Sequence, residues 1–418
     1  MSVREPLMPR TGPGRQTNFW LHVAEGALFS AGFALLGPQT LLPLLVTRFT
    51  GSSGWVGVMA AIIPLGLAAP QLLSVRWLER FPGRWRYFLW TNWVCRLAVV
   101  PLSGVPLLPA AWRLPGLVTG LAVFALAWGM AAPSWMDLVQ RVIQPEDRGR
   151  FFGWRATLQG PATLVAQGLG SWLLSTGGYP YGFVACFGLA CLLMTVSMVL
   201  MALTVNEGHG PVADFESSDA GETGAGSRDD DPLRTRDGMA FVAWRLLLSL
   251  ALSVLPFALL DARTRFQLPD GRVMTLGLAL FLLPTLTSVW WGRQGDRHGP
   301  WWLLSRATWL AVPAHACLVW APVPAVHAVG LVGLGMLQPL LVMADFAFLG
   351  GGDGRRAAAR YGKFNLVLLL ATLGGPVAAG ALADRAGTTS LLAIAAVLWA
   401  IAFSGIRARS LRLQAGVA

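Results

Sequence analysis

The sequence predicts an all-α membrane protein of twelve transmembrane helices in two six-helix bundles, and three observations lead there. Of 418 residues, 55% are hydrophobic and only 13% charged, about half the charged share of a soluble domain. That leaves too little polar surface to cover a water-exposed globule, and the mean hydropathy of +0.56 agrees. Apolar runs of the roughly 20 residues that a bilayer requires recur along the whole chain. One polar segment near the middle divides them six and six. An ordinary soluble enzyme is excluded by this composition.

Runs bounded by charge, Gly or Pro read as spans at 19–47, 54–76, 87–111, 114–139, 151–175, 181–205, 241–266, 273–291, 300–322, 324–349, 364–383 and 388–406. Residues 1–17 are polar, and the apolar run after them lacks a small-residue cleavage site and is too long for a signal-peptide core. The first span therefore reads as a retained helix behind a cytoplasmic tail. Pro106, Pro109 and Pro115 mark the turn between the third and fourth spans. Residues 206–240 are rich in Gly, Ser and acid and have almost no apolar side chains to build a core. They read as a flexible cytoplasmic linker joining a bundle at 18–205 to one at 241–406, with 407–418 as a second tail.

A net charge of +11 could suggest a nucleic-acid partner until its placement is followed. Arg76, Arg80, Arg84 and Arg86 follow the second span, Arg141, Arg148 and Arg150 the fourth, Arg293 and Arg297 the eighth, and Arg355, Arg356, Arg360 and Lys363 the tenth. Further arginines fall in the linker and both tails. The opposite face carries only Arg48, Arg113, Arg263, Arg265, Arg272 and Arg385. The positive-inside rule then puts both termini in the cytoplasm. The basic balance is topological, and no nucleic-acid partner is expected. The single lysine, Lys363, points to a GC-rich bacterial genome and hence to a cytoplasmic, inner membrane. Cys95, Cys186, Cys191 and Cys317 lie in apolar stretches without a CxxC pair or a His at metal-ligand spacing. With no Walker A sequence and no Ser-His-Asp set either, no metal, cofactor or enzymatic activity is expected.

The two halves repeat each other. Glu79-Arg80-Phe81-Pro82-Gly83-Arg84 after the second span is answered by Gly292 to Gly299 after the eighth, and Gly160-Pro161 of the fifth recurs as Gly375-Pro376 in the eleventh at almost the same offset. Asp137 in the fourth span corresponds to Asp345 in the tenth. On these features the chain resembles the major facilitator superfamily of secondary transporters, whose signature is a GxxxDRxG turn between helices two and three and again between eight and nine. Gly292, Asp296, Arg297 and Gly299 match the second copy; the first departs from it, with Glu79 for Asp and Pro82 inserted. The resemblance implies that this turn docks on the opposite bundle when the cytoplasmic side closes. Asp296 and Arg297 would then dock near Arg155 at the start of span five, and Glu79 with Arg80 against span eleven, Gly83 and Arg84 completing that first turn. A solvated turn with no gating role is the competing reading. Gly380 to Gly387, GALADRAG, has the same pattern on the outer side and is given no such role. The family's antiporter signature GPxxGG is incomplete, because Gly160-Pro161 is followed by Ala162-Thr163-Leu164-Val165.

Ionisable residues inside spans are functional candidates because each is expensive in hydrocarbon. At 1.5 Å per residue, Glu25 lies roughly 9 Å and Arg96 roughly 14 Å from the nearer membrane face. The resemblance implies that helices one, four, seven and ten line a central cavity, which makes Glu25, Asp137 and Asp345 candidates for carrying a coupling proton. A permanent Glu25–Arg96 salt bridge is the alternative. Phe29, Phe33, Arg96, Trp128, Gln159, Gln167, Phe257, Gln338 and Asn365 are candidate cavity residues, an apolar wall with a few hydrogen-bonding groups that suits an amphipathic organic solute. The expected function is secondary transport of such a small molecule by alternating access, coupled to protons, in the export direction, by a monomer embedded in lipid. Uptake of a small organic anion held by Arg96, and a non-transporting receptor on the same scaffold, remain open alternatives.

Overall fold

Proline, glycine and capping residues decide where the helices break. The computed structural model describes residues 13–70, 84–143, 147–204, 233, 235–349 and 354–414, and every regular element among them is helical. The first half holds α1 (Pro13–Leu36), α2 (Leu41–Thr50), α3 (Ser53–Ala68), α4 (Arg84–Leu97), α5 (Val99–Gly104), a short 3-10 turn at Val105–Leu107, α6 (Ala110–Val142), α7 (Arg148–Gly177) and α8 (Tyr181–Ala202). The second holds α9 (Arg236–Leu252), α10 (Leu255–Phe266), α11 (Asp270–Gly277), α12 (Ala279–His298), α13 (Pro300–Val319), α14 (Pro324–Leu349), α15 (Gly354–Ala386) and α16 (Thr388–Gln414). Among the described residues, nine helical segments are long and apolar enough to cross a membrane, each of the pairs α1–α2, α4–α5, α9–α10 and α11–α12 counting as one; α3, α7 and α13 are not among the nine.

Several boundaries differ from the hydropathy reading, each for a local reason. The first predicted span is broken between α1 and α2, where Gly37 adopts φ +59° ahead of Pro38. Helix α12 continues through the Gly292–Gly299 stretch to His298, because nothing stops it before Gly299 (φ +81°) and Pro300. Helix α9 begins inside the predicted linker, since the Thr235 hydroxyl accepts a hydrogen bond from the Gly238 amide at 3.0 Å and caps it. Helix α16 enters the predicted tail and is held there: Arg409 pairs with Asp237 at 2.6 Å and lies over the Trp301 ring. Residues 71–83, with Glu79, Arg80 and Gly83, lie outside the described residues, as do 205–232. Arg84 opens α4, and its side chain is not among those described.

Packing is close because small residues let backbones touch. In the first half α1 lies against α7 and α8, and α6 against α3 and α4; in the second α14 lies between α12 and α13, and α13 against α16. Between halves, α3 runs along α15 and α7 along α11. A methyl group on Gly57 would overlap the Pro376 carbonyl, and one on Gly271 would overlap Ser175. Within the first half, the Gly66 carbonyl occupies the place a side chain on Gly129 would need.

Replacing Gly66 by Val forces α3 away from Ala125 of α6. The expected cost is about 1–3 kcal/mol, read as a lower thermal unfolding temperature of the purified protein. Gly188→Val, where nothing stands within 4 Å, is the matched control and is expected to unfold near the parent temperature.

Candidate functional site

One face of α1 carries His22, Glu25, Phe29 and Phe33 at helical spacing, and three other helices bring charge and aromatic surface to it. Glu25 is buried, with 2% of its side chain exposed, and both of its oxygens are engaged. Oε1 accepts from Arg96 Nη2 of α4 at 3.3 Å and from the Ser197 hydroxyl of α8 at 3.2 Å. Oε2 accepts from Arg155 Nη1 of α7 at 2.7 Å, and the same nitrogen donates to the His22 carbonyl. Arg155 can reach across α1 only because residue 26 is glycine, for a side chain there would overlap the guanidinium.

The arginines are braced from behind. Arg96 Nη1 donates to Asn92 Oδ1 at 2.7 Å, and its guanidinium lies 4.9 Å from the Phe29 ring centre. Arg155 stacks on Trp135 at 4.8 Å. Phe29 and Phe33 both pack edgewise on Trp128 of α6, at 5.5 and 5.1 Å between ring centres. Gln159, one turn from Arg155, points its amide at the Gly26 carbonyl. Sequence reasoning named Glu25, Arg96, Arg155, Phe29, Phe33, Trp128 and Gln159; the structure brings these seven together. It missed Gly26, Asn92 and Ser197. Gly26 next to an intramembrane acid was the one available signal.

Other candidates fall elsewhere. Asp345 of α14 is gripped by Arg245 of α9 in a two-pronged pair, Nε–Oδ1 2.6 Å and Nη2–Oδ2 2.7 Å, so its carboxylate is committed to joining two helices. Phe257 is completely enclosed in the hydrophobic core and faces no opening. Gln167 is also buried; it donates to the Ala34 carbonyl beside the α1–α2 break, which makes it a brace for that break and not a wall residue. Gln338 and Asn365 are exposed, and Gln338 meets Gln39 of the other half at 3.4 Å. Asp137 lies on α6, its side chain not among those described. Arg155, expected beside Asp296, is held by Glu25; Asp296 and Arg297 are exposed and carry no ion pair among the described residues. Among those residues no three His, Cys, Asp or Glu gather as a metal site requires.

The halves are joined by polar contacts at the end where α2 finishes and α11 begins. Arg48 meets Asp270 at 2.7 Å, Arg263 of the second half donates to the Thr47 hydroxyl of the first at 3.1 Å while pairing with Asp270 of its own half at 3.3 Å, and the Ser171 and Thr275 hydroxyls are 2.6 Å apart. Asp261, two residues before Arg263 in the chain, does not take part. It accepts from Thr388 and Thr389 and pairs with Arg265, all within the second half.

Apolar helices that bury paired charges beside an aromatic wall, with two halves meeting along a seam, define a membrane transporter. The chain belongs to the Major Facilitator Superfamily, whose sequence model matches residues 26–348. Similar solved structures include a point mutant of the nucleoside transporter NupG (TM-score 0.71, 13% identity, covering 94% of this chain and 99% of that one). They also include a bacterial homolog of the human lysosomal transporter Spinster in an inward-facing, occupied conformation (0.70, 13%, 96% and 98%) and the human organic anion transporter MFSD10 (0.61, 16%, 95% and 100%). At these identities the likeness is one of fold. No curated protein matches the sequence.

Removing one partner of the Arg245–Asp345 pair leaves a charge stranded among helices. Arg245→Ala is expected to destabilise the protein by about 3–5 kcal/mol. Replacing both partners with Leu and Met of similar volume is expected to recover most of that, as measured by thermal unfolding. Equal loss in the single and double variants would show that the pair does not act as a unit.

Proposed function

We propose that the protein is a twelve-span secondary transporter with both termini in the cytoplasm, in which α3, α7 and α13 complete the nine apolar segments. Its two pseudo-symmetric six-helix bundles are joined by the acidic 206–240 segment. It moves a small, amphipathic organic solute across a bacterial cytoplasmic membrane by alternating access, coupled to protons and in the export direction. In this topology the Arg48–Asp270 end is the outer one, and the conformation described is closed outside, with the Asp296–Arg297 turn unlatched inside. The observation that carries the reading is Glu25. A buried carboxylate shared by arginines from two other helices, beside a Phe29–Phe33–Trp128 wall, gives both a docking surface and a charge that rearranges when a solute or a proton arrives.

Coupling follows if Arg155 leaves Glu25 for the solute or for the Asp296 turn, so that Glu25 takes up a proton while Arg155 is away. A second reading has its own support. Two guanidiniums meet one carboxylate here, and Arg96 Nε is a buried donor with no acceptor among the described residues, an arrangement that suits an organic anion. On that reading Arg96→Ala abolishes binding of anions and spares neutral solutes.

The test begins with a thermal-shift screen of purified protein against organic anions, cations and neutral amphiphiles. Proton flux is then measured in proteoliposomes with the best ligand. Glu25→Gln is expected to lose proton-driven accumulation by at least about tenfold while solute exchange persists. An unchanged pH dependence of transport in Glu25→Gln would overturn the coupling role.

A further inference from the structure

The outer-side GxxxDRxG pattern, Gly380 to Gly387, has a seat in the structure. It forms the last turns of α15, and three of its four fixed positions do separate jobs. Gly380 lies directly against Ser53 and Gly54 of α3; any side chain there would overlap the Ser53 carbonyl. Gly387, at φ +82°, ends the helix and turns the chain into α16. One turn beyond Gly380, Asp384 faces the amino terminus of α3 in the other half. Its Oδ1 accepts from the Ser53 amide at 2.6 Å, and its Oδ2 from the Gly54 amide at 2.9 Å and the Ser52 hydroxyl at 2.6 Å.

Amides in the first turn of a helix have no partner within it and sit at its positive end, so a carboxylate is held there by hydrogen bonds and by charge. Helix α3 already has a cap of its own, for the Ser52 hydroxyl accepts from the Gly54 amide at 3.1 Å. The cap supplied by Asp384 is therefore added to one that α3 already has, and it reaches the Ser53 amide as well. What it adds is a tie between α15 and α3. The related stretch at Gly292–Gly299 also ends in a glycine at positive φ, yet its Asp296 and Arg297 stand exposed at the opposite end of the molecule.

We infer that Asp384 is a latch residue that holds the Arg48–Asp270 end closed by capping α3 from the opposite half, and that the two GxxxDRxG turns are opposed latches of which one is seated here. This rests on the alternating-access reading. The carboxylate interacts with α3 only in the closed arrangement, so it shifts the balance between states by the worth of those bonds. Arg385, its exposed neighbour, makes no contact across the seam among the described residues.

The test is a distance measurement by pulsed electron resonance on the full chain in lipid nanodiscs. Spin labels are placed at Thr176 of α7 and Arg272 of α11, both exposed and across the other interface between halves, so that they report opening of the whole end and not local fraying. Cys191 and Cys317 are replaced first; Cys95 and Cys186 are buried. Asp384→Ala is expected to raise the ratio of long to short distances about tenfold, Asp384→Asn about threefold, and Arg385→Ala not at all. An unchanged distribution in Asp384→Ala overturns the latch. If that variant is recovered unfolded, Asp384→Asn decides by the same criterion. Asp270→Asn, which breaks the separate Arg48 and Arg263 contacts, tells the two failures apart. A shift with Asp270→Asn but none with Asp384→Ala rejects the latch and keeps alternation; a single short distance in every variant rejects both.

Discussion

A charge among lipid-embedded helices has no water to turn to, so every ionised side chain placed there must meet its opposite, and the partner it meets decides which helices move together. Glu25 ties α1 to α4, α7 and α8; Arg245 and Asp345 tie α9 to α14; Asp261 ties α10 to α16. Each of these links stays inside one half of the chain. Their carboxylates are between 1% and 4% exposed, and in such surroundings separating the partners is expensive.

The contacts between halves are of another kind. Arg48 is 37% exposed and Arg263 is 23% exposed, and Asp384 also stands at the surface. Water can take over their hydrogen bonds when the seam parts, so they favour one arrangement without fixing it. The backbones they join approach closely through Gly57, Gly271 and Gly380, which hold no interlocking side chains to prise apart. Tightly bound halves and a loosely bound seam are the mechanical requirement for rocking about a central site.

Much of this was legible in the sequence, because lipid imposes strong rules. Hydropathy located the helices, and the rarity of intramembrane charge singled out Glu25, Arg96 and Asp345. Pairing was not legible. Glu25 and Arg155 are 130 positions apart, and either of two arginines could have taken the acid; in the structure both do. The Arg48–Asp270 and Asp384–Ser52 contacts were hidden for a related reason, since a surface charge beside a helix end looks like an ordinary solvated residue until the facing helix is known. The break at Gly37–Pro38 and the extension of α12 to His298 escaped hydropathy because both depend on backbone conformation and not on polarity. Gln167 and Phe257 were named as wall residues on residue type alone, and the turn of the helix buried both.

The central claim is that the joined end must open in every transport cycle. The most direct measurement is a reversible crosslink across it: Ser171→Cys on α7 with Thr275→Cys on α11, whose hydroxyls face each other at 2.6 Å. Solute flux into proteoliposomes is then followed before oxidation, after it, and after reduction with a thiol. The account predicts that flux falls to background when the disulfide forms and returns when it is reduced. Undiminished flux through fully crosslinked protein would contradict it.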